Sequence, residues 1–333
     1  MDDELFYRLV SLENLFDAWR RFCKGKRSRQ DVMEFEYYLE DNLFALRDSL
    51  LKGMYRHDPY QSFTIFDPKQ RSIHKASVRD RVVHQALVNI IEPPFERQFI
   101  YDSFSCRLEK GTHAAVDRLR SFLRQVSSNN TKTVYALKCD IRRFFASVDH
   151  CLLLLLLRRQ IHDRLTIKLL ENIIGSFSVT THRGIPLGNL TSQLFANVYL
   201  HELDRYVKHD LRVRYYLRYC DDFVILTSSR SEAFDWAERI GAFLNNRLKM
   251  QLHPNKVTVR TWEQGVDFLG YVLLPHATVL RTKTAKRILK RATQENLSSY
   301  SGVCQHANAY ELERLFRTKA LGDFLKYGSL DHT

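Results

Sequence analysis

The stretch that most limits what this chain can become is Arg214-Tyr-Tyr-Leu-Arg-Tyr-Cys-Asp-Asp-Phe-Val-Ile-Leu226, two adjacent acids set between runs of aromatic, β-branched and aliphatic residues. Tyr, Phe, Val and Ile favour a pleated, half-buried surface and Asp tolerates a turn, so the pattern predicts strand, acidic turn, strand. Asp221 and Asp222 then project from a rigid tip. Adjacent carboxylates raise each other's pKa, which makes such a tip costly unless a cation neutralises it. An Asp-Asp pair alone would read as a polar turn and no more. A third acid changes that reading: Asp140 ends another strand-like segment, Lys132-Thr-Val-Tyr-Ala-Leu-Lys-Cys-Asp140. Two acid-tipped strands side by side make an oxygen-donor site suited to magnesium, and such sites serve phosphoryl transfer.

With these residues the chain resembles the reverse transcriptases. Tyr219-Cys-Asp-Asp222 matches that family's Tyr-x-Asp-Asp box, and Asp140-Ile-Arg-Arg-Phe-Phe-Ala-Ser-Val-Asp-His150 matches its first palm motif. The resemblance implies an α/β (α+β) right-hand polymerase with fingers, a palm of antiparallel sheet backed by helices, and a small helical thumb. It implies an RNA-directed DNA polymerase whose substrates are deoxynucleoside triphosphates (dNTPs). Asp140 and Asp221 would hold two Mg2+ ions, Asp222 would shape the field around them, and the carbonyl of Ile141 would be a further ligand. Phe145 would lie under the ribose and exclude a 2′ hydroxyl, with Phe144 beside it as ordinary core. Lys256 falls where the family has a lysine near the departing pyrophosphate.

Composition fits a polyanionic partner. The chain has 333 residues, a formal net charge of +13 and a pI near 9.5, and a basic surface gains from counterion release on nucleic acid. Its length allows two or three subdomains. Six cysteines, Cys23, Cys106, Cys139, Cys151, Cys220 and Cys304, fall in no paired spacing of the zinc-binding kind and read as reduced cytosolic thiols. The first residues lack a signal-peptide pattern, and the apolar run Cys151 to Leu157 is too short to cross a bilayer. The expectation is a soluble bacterial cytoplasmic protein with no membrane partner.

Along the chain, apolar spacing predicts two helices between Leu5 and about Gly53, separated by the basic break Lys24-Gly-Lys-Arg-Ser-Arg29, which reads equally as a solvated loop or a nucleic-acid contact. Tyr60 to Lys75 predicts a hairpin turning at Asp67-Pro68. Resemblance to the group II intron enzymes places Lys69 and Arg71 there as contacts to the incoming triphosphate. Val78 to Ile91 predicts an amphipathic helix closed by Pro93-Pro94. Ser103-Phe-Ser-Cys-Arg-Leu-Glu-Lys-Gly-Thr-His113 parallels the family's Phe-x-x-Arg-x-x-x-Gly segment and makes Arg107 and Lys110 template contacts. Gly184 and Gly188 would let the backbone approach a bound chain. A single strand is expected from Val266 to Leu274, similar to the primer grip and including Gly270. Beyond Pro275 a basic helical segment with Lys286, Arg287 and Lys290 would clamp a duplex. The expected divisions are N-terminal helices and fingers over 1–131, palm over 132–275 and thumb over 276–333.

The string Leu187-Gly-Asn-Leu-Thr-Ser-Gln193 departs from retroviral and intron enzymes, which carry Gln in place of Leu187 and Ser-Pro at Ser192-Gln193. It resembles diversity-generating retroelement enzymes, as does Ser299 to Tyr310. In that group an aliphatic residue at this place accompanies error-prone copying of template adenines. That resemblance implies that Leu187, Gly188 and Gln193 are nucleotide-site residues. The reading is a polymerase acting on a template RNA and an RNA/DNA duplex, with a small basic accessory protein as partner, since no maturase or endonuclease segment is expected after the thumb. An antiviral-defence or other stand-alone bacterial reverse transcriptase is the alternative. A catalytically dead nucleic-acid scaffold is disfavoured by the three acids, Lys69, Arg71 and Phe145.

Overall fold

The computed structural model describes residues 4–66 and 70–327, with side chains to residue 320. Four helices open the chain: α1 (Glu4–Leu9), α2 (Leu12–Cys23), α3 (Gln30–Tyr37) and α4 (Leu39–Leu51). The apolar spacing predicted two. Ser11 interrupts the first by turning its side chain onto the N–H of Asn14 at 3.2 Å, an N-cap that starts a new helix. Strands β1 (Gln61–Phe66) and β2 (Gln70–Lys75) form the expected antiparallel hairpin, and its turn lies outside the described residues. Helix α5 (Val78–Glu96) runs past the expected stop and carries Pro93 and Pro94 in its last turns. Helix α6 (Thr112–Val126) follows.

The chain then builds its central sheet. Strand β3 (Tyr135–Asp140) leads into α7 (Phe144–Ser147), α8 (His150–Arg158), α9 (Arg164–Gly175) and α10 (Leu190–Arg205). Strands β4 (Tyr216–Tyr219) and β5 (Asp222–Thr227), helix α11 (Arg230–Leu248) and strand β6 (Thr258–Thr261) come next. The strand order is β4-β5-β3-β6, every pair antiparallel. Alternation sorts the side chains between two cores, as a period of two requires. Leu137, Cys139, Phe223 and Ile225 face a large cluster with α5, α10 and α11, while Ala136, Leu217, Val224 and Leu226 face a second cluster with α6.

Val266 to Leu274, expected as one strand, is a hairpin of β7 (Val266–Phe268) and β8 (Tyr271–Leu273), extended by β9 (Thr278–Leu280). The two turn residues, Leu269 and Gly270, take φ of +50° and +92°. Apolar residues run through this turn and hide it from a pattern search. The remaining helices, α12 (Thr282–Arg291), α13 (Leu297–Cys304) and α14 (Tyr310–Tyr327), enclose a small core of Ile288, Cys304 and Phe316. Among the described residues no helix is long and apolar enough to cross a membrane.

Candidate active site

The three acids meet where β3 ends and β5 begins. Asp140 and Asp222 are directly opposed across the ladder, and Tyr219 pairs with Asp222, which leaves Cys220 and Asp221 as a two-residue turn. Cys220 sits at φ +54°, a left-handed conformation uncommon for a side-chain-bearing residue, held by the surrounding hydrogen bonds. The N–H of Ile141 donates to the Asp221 carbonyl at 3.1 Å, and the N–H of His253 to the Asp140 carbonyl at 2.8 Å. The acid-bearing ends of both strands are thereby fixed by backbone bonds.

Behind the turn lies a buried ion pair. Arg218 donates from Nε and Nη2 to Asp204 at 2.7 and 2.6 Å, both side chains are fully buried, and Tyr216 gives its hydroxyl to the same carboxylate at 2.6 Å. Arg218 Nη1 also reaches the Cys220 carbonyl at 3.2 Å. The guanidinium therefore braces the turn from beneath.

Burial makes the charged forms of Asp221 and Asp222 unfavourable. Burial, then the neighbouring Asp140 charge, raises the Asp221 carboxyl above its ordinary range. Burial pushes Asp222 up to about 6 even though the Lys138 ammonium, 3.3 Å away, pulls the other way. Lys256 Nζ lies 2.6 Å from Asp140 Oδ2. Two lysines thus stand beside the acids to which the sequence assigned a metal. Among the described residues no three Asp, Glu, His or Cys side chains converge closely enough to grip an ion. The donor set still fits magnesium, which is commonly held by one or two carboxylates together with substrate phosphates. Asp222 Oδ1 is a buried carboxylate oxygen without a hydrogen-bond partner, and an oxygen of that kind is an available ligand.

Of the three acids, Asp140 lines a cleft of about 570 Å³, together with Lys138, Lys256, Asp267, Arg281 and Arg287. Arg281 N–H donates to the Gly270 carbonyl at 2.8 Å and its Nε to Asp267 at 2.9 Å, so the β7–β8 turn and the start of α12 are tied together. Lys286 and Lys290 are exposed on α12. Arg71 lies on β2 opposite Ile65, exposed, rather than in the turn, and Lys69 lies outside the described residues.

Leu187 and Gly188 contact the β1–β2 hairpin. The His74 N–H donates to the Leu187 carbonyl at 3.1 Å and Asn189 Nδ2 to the His74 carbonyl at 2.8 Å. A Cβ on Gly188 would come within 2.9 Å of Ile73 Cγ2, and one on Gly184 within 2.9 Å of Val179 Cγ2. Both glycines, at φ +106° and +104°, serve close approach inside the fold itself, where approach to a bound chain was expected. The Leu187 side chain is half-buried and Gln193 is exposed on α10. Phe145 is half-buried and packs edge-on against the buried Phe144 at 5.2 Å, while its carbonyl accepts from the Ile185 N–H at 2.8 Å.

Of the two expected template contacts, Arg107 turns inward and Lys110 lies over an exposed ring. The Arg107 side chain is 6% exposed, pairs with Glu96 at 2.7 Å and donates to the Ile100 and Ser103 carbonyls at 2.7 and 2.8 Å. Its donors are spent on the loop that carries it. Lys110 Nζ sits 3.3 Å from the Tyr101 ring centroid and bonds the Tyr101 carbonyl at 3.1 Å. Sequence reasoning missed Lys138 and the Asp204–Arg218 pair. Lys138 is two residues before Asp140 and so shares its face of the strand, a signal that was there to be read. Arg218 inside an apolar strand also demanded a partner, but nothing in the sequence pointed to Asp204.

Comparison with known proteins adds to this geometry. The family described as reverse transcriptase (RNA-dependent DNA polymerase) matches residues 66–273. The chain is 28% identical over 280 residues to Protein YkfC of Escherichia coli K12, covering 70% of this chain and 71% of that protein. It is 24% identical to the group II intron-encoded protein LtrA of Lactococcus lactis subsp. cremoris, covering 86% of this chain and 59% of LtrA. Among solved structures, Candida albicans telomerase in complex with a TWJ fragment of telomeric RNA superposes with a TM-score of 0.57 at 12% identity, covering 85% of this chain and 58% of that one. That likeness is one of fold, a right-hand arrangement around an antiparallel sheet. The chain spans less than two thirds of LtrA and of the telomerase.

Proposed function

The chain belongs to the reverse transcriptase family, RNA-directed DNA polymerases, and on that premise we propose that it copies an RNA template into cDNA at the site formed by Asp140, Asp221 and Asp222. The observation that carries the proposal is the direct opposition of Asp140 and Asp222 at the ends of β3 and β5, with Asp221 in the adjoining turn. Magnesium held by these carboxylates and the Ile141 carbonyl would supply the positive charge that nucleotidyl transfer needs. Lys256, now on Asp140, would turn toward the leaving phosphates, and Lys138 would keep its hold on Asp222. Phe145 guards the sugar, and Arg71 with Lys69 meets the triphosphate from the fingers. Lys286, Arg287 and Lys290 on the thumb side hold the RNA/DNA duplex by its phosphates.

The finer reading is an error-prone enzyme of a diversity-generating retroelement, working in the bacterial cytoplasm with a small basic accessory protein. Leu187 supports it: an aliphatic side chain stands in a loop braced against β2, where an amide would offer a hydrogen bond to the nascent pair. Shape alone then checks the pair, and packing differences discriminate by only ~1 to 3 kcal/mol.

The test is cDNA synthesis by the purified protein on its flanking transcript with dNTPs and Mg2+. Asp221→Asn should abolish synthesis and leave RNA binding nearly unchanged, because binding rests on distant basic residues. Normal extension by that variant would remove the assignment.

A further inference from the structure

A second cavity, of about 500 Å³, shares no lining residue with the catalytic cleft. Arg142, Arg143, Ser147, Arg183, Asn245 and Lys249 line it, together with Met250 and Gln251. Four of these are cations, and none is an acid. Asp140 lines one space and Arg142 the other, and Arg142 N–H bonds the Gln251 carbonyl at 2.8 Å just beyond the His253 bond to Asp140.

The cations are built into place. Lys249 Nζ bonds Asp149 at 2.7 Å and Arg183 Nε stands 4.0 Å from the same carboxylate, so one acid beneath the lining orients two cations. Arg143 takes φ +46° and Lys249 φ +54°, left-handed positions that side-chain-bearing residues seldom occupy without cause. Ser147 Oγ secures the turn by donating to the Arg143 carbonyl at 3.0 Å. The Arg142 and Arg143 side chains are exposed, and among the described residues neither guanidinium has a hydrogen-bond or ion-pair partner. Like charges gathered this way repel until an anion joins them. Guanidinium forks match phosphate oxygens two at a time.

We propose that this cavity binds a small polyphosphate anion, either inorganic pyrophosphate or the triphosphate tail of a nucleotide, at a site separate from the catalytic acids. A small anion is favoured over a nucleic-acid strand because no aromatic ring lines the cavity to stack a base. Occupancy places phosphate at Arg142 and Arg143, the second and third residues beyond Asp140.

Titration calorimetry of the full chain in magnesium-free buffer tests this without relying on polymerase activity, so the polymerase reading can fail while this one stands. The probes are pyrophosphate, tripolyphosphate, a dNTP and a short single-stranded RNA. Pyrophosphate or tripolyphosphate should bind one per chain, and Arg142→Gln/Arg143→Gln should weaken that binding at least tenfold, with the Arg142→Lys/Arg143→Lys pair recovering part of it. A dNTP that binds no better than tripolyphosphate assigns the site to the phosphates alone, and one that binds much better assigns it to a nucleotide. Unchanged affinity in the double Gln variant overturns the proposal. So does loss of binding in Lys256→Gln alone, which would place the anion in the cleft, or RNA binding with no response to either phosphate. Unchanged melting of the Gln variant confirms that its fold is intact, as expected for exposed side chains.

Discussion

Asp140 and Asp222 face each other as opposed partners at the open end of the central sheet, one closing β3 and the other beginning β5. The sheet end that bears these acids is largely withdrawn from water, and the protein bears the cost of that burial in Asp222, whose carboxyl is pushed from about 3.8 to about 6. The folded state therefore holds the proton more tightly than the unfolded chain. Stability is unaffected by this group below about pH 4, falls as pH rises through 6, and carries the full penalty at pH 7.5.

Asp222→Asn removes the charge and should raise the melting temperature at pH 7.5 in EDTA, with little change at pH 3.5. Magnesium should raise the melting temperature of the wild type at pH 7.5 and do less for the variant. Differential scanning calorimetry of both proteins reads all three conditions. An equal shift at both pH values would mean that the substitution acts through packing, with no contribution from the charge.

Phe145 and Phe144 pack edge-on but stand in different environments, one half-buried and one in the core. Phe145→Ala should raise ribonucleotide use relative to deoxynucleotide use, measured by competitive extension. Phe144→Ala should mainly lose stability, ~3 to 5 kcal/mol by denaturant unfolding, as a cavity does. Unchanged sugar discrimination in Phe145→Ala would reduce that residue to packing.

Leu187 meets β2 through its carbonyl, so its side chain can be exchanged without cutting that tie. Leu187→Gln should lower misincorporation opposite template adenine more than opposite other bases, since one new hydrogen bond contributes about 0.5 to 1.5 kcal/mol. Sequencing of cDNA copied from one template by both proteins decides it. Equal adenine error rates would sink the idea.

Arg218 and Asp204 form a fully buried pair under the acidic turn. Arg218→Met leaves Asp204 charged and unpaired in the core and should cost about 3 to 5 kcal/mol in urea unfolding. Asp204→Asn/Arg218→Met should recover part of that loss because the stranded charge is gone. A double variant as unstable as the single one would show that packing of the guanidinium matters more than charge pairing.

The sequence by itself determined the acid-tipped hairpin, the strand ending in Asp140 and the family, because adjacent carboxylates between β-forming runs have few stable settings and fixed residue types at fixed spacing survive in one dimension. It also exposed the basic stretch now seen as α12. Only the tertiary structure decided which cations neutralise which acids. Lys256 reaches Asp140 across 116 residues and Arg107 turns inward onto Glu96, and neither pairing follows from local pattern. The turn at Leu269 and Gly270 escaped because apolar alternation runs straight through it, while only the φ values mark the reversal. Periodicity reports which face of an element is apolar. Which distant charge meets that face depends on how the elements pack, and long-range contacts of that kind leave no spacing to read.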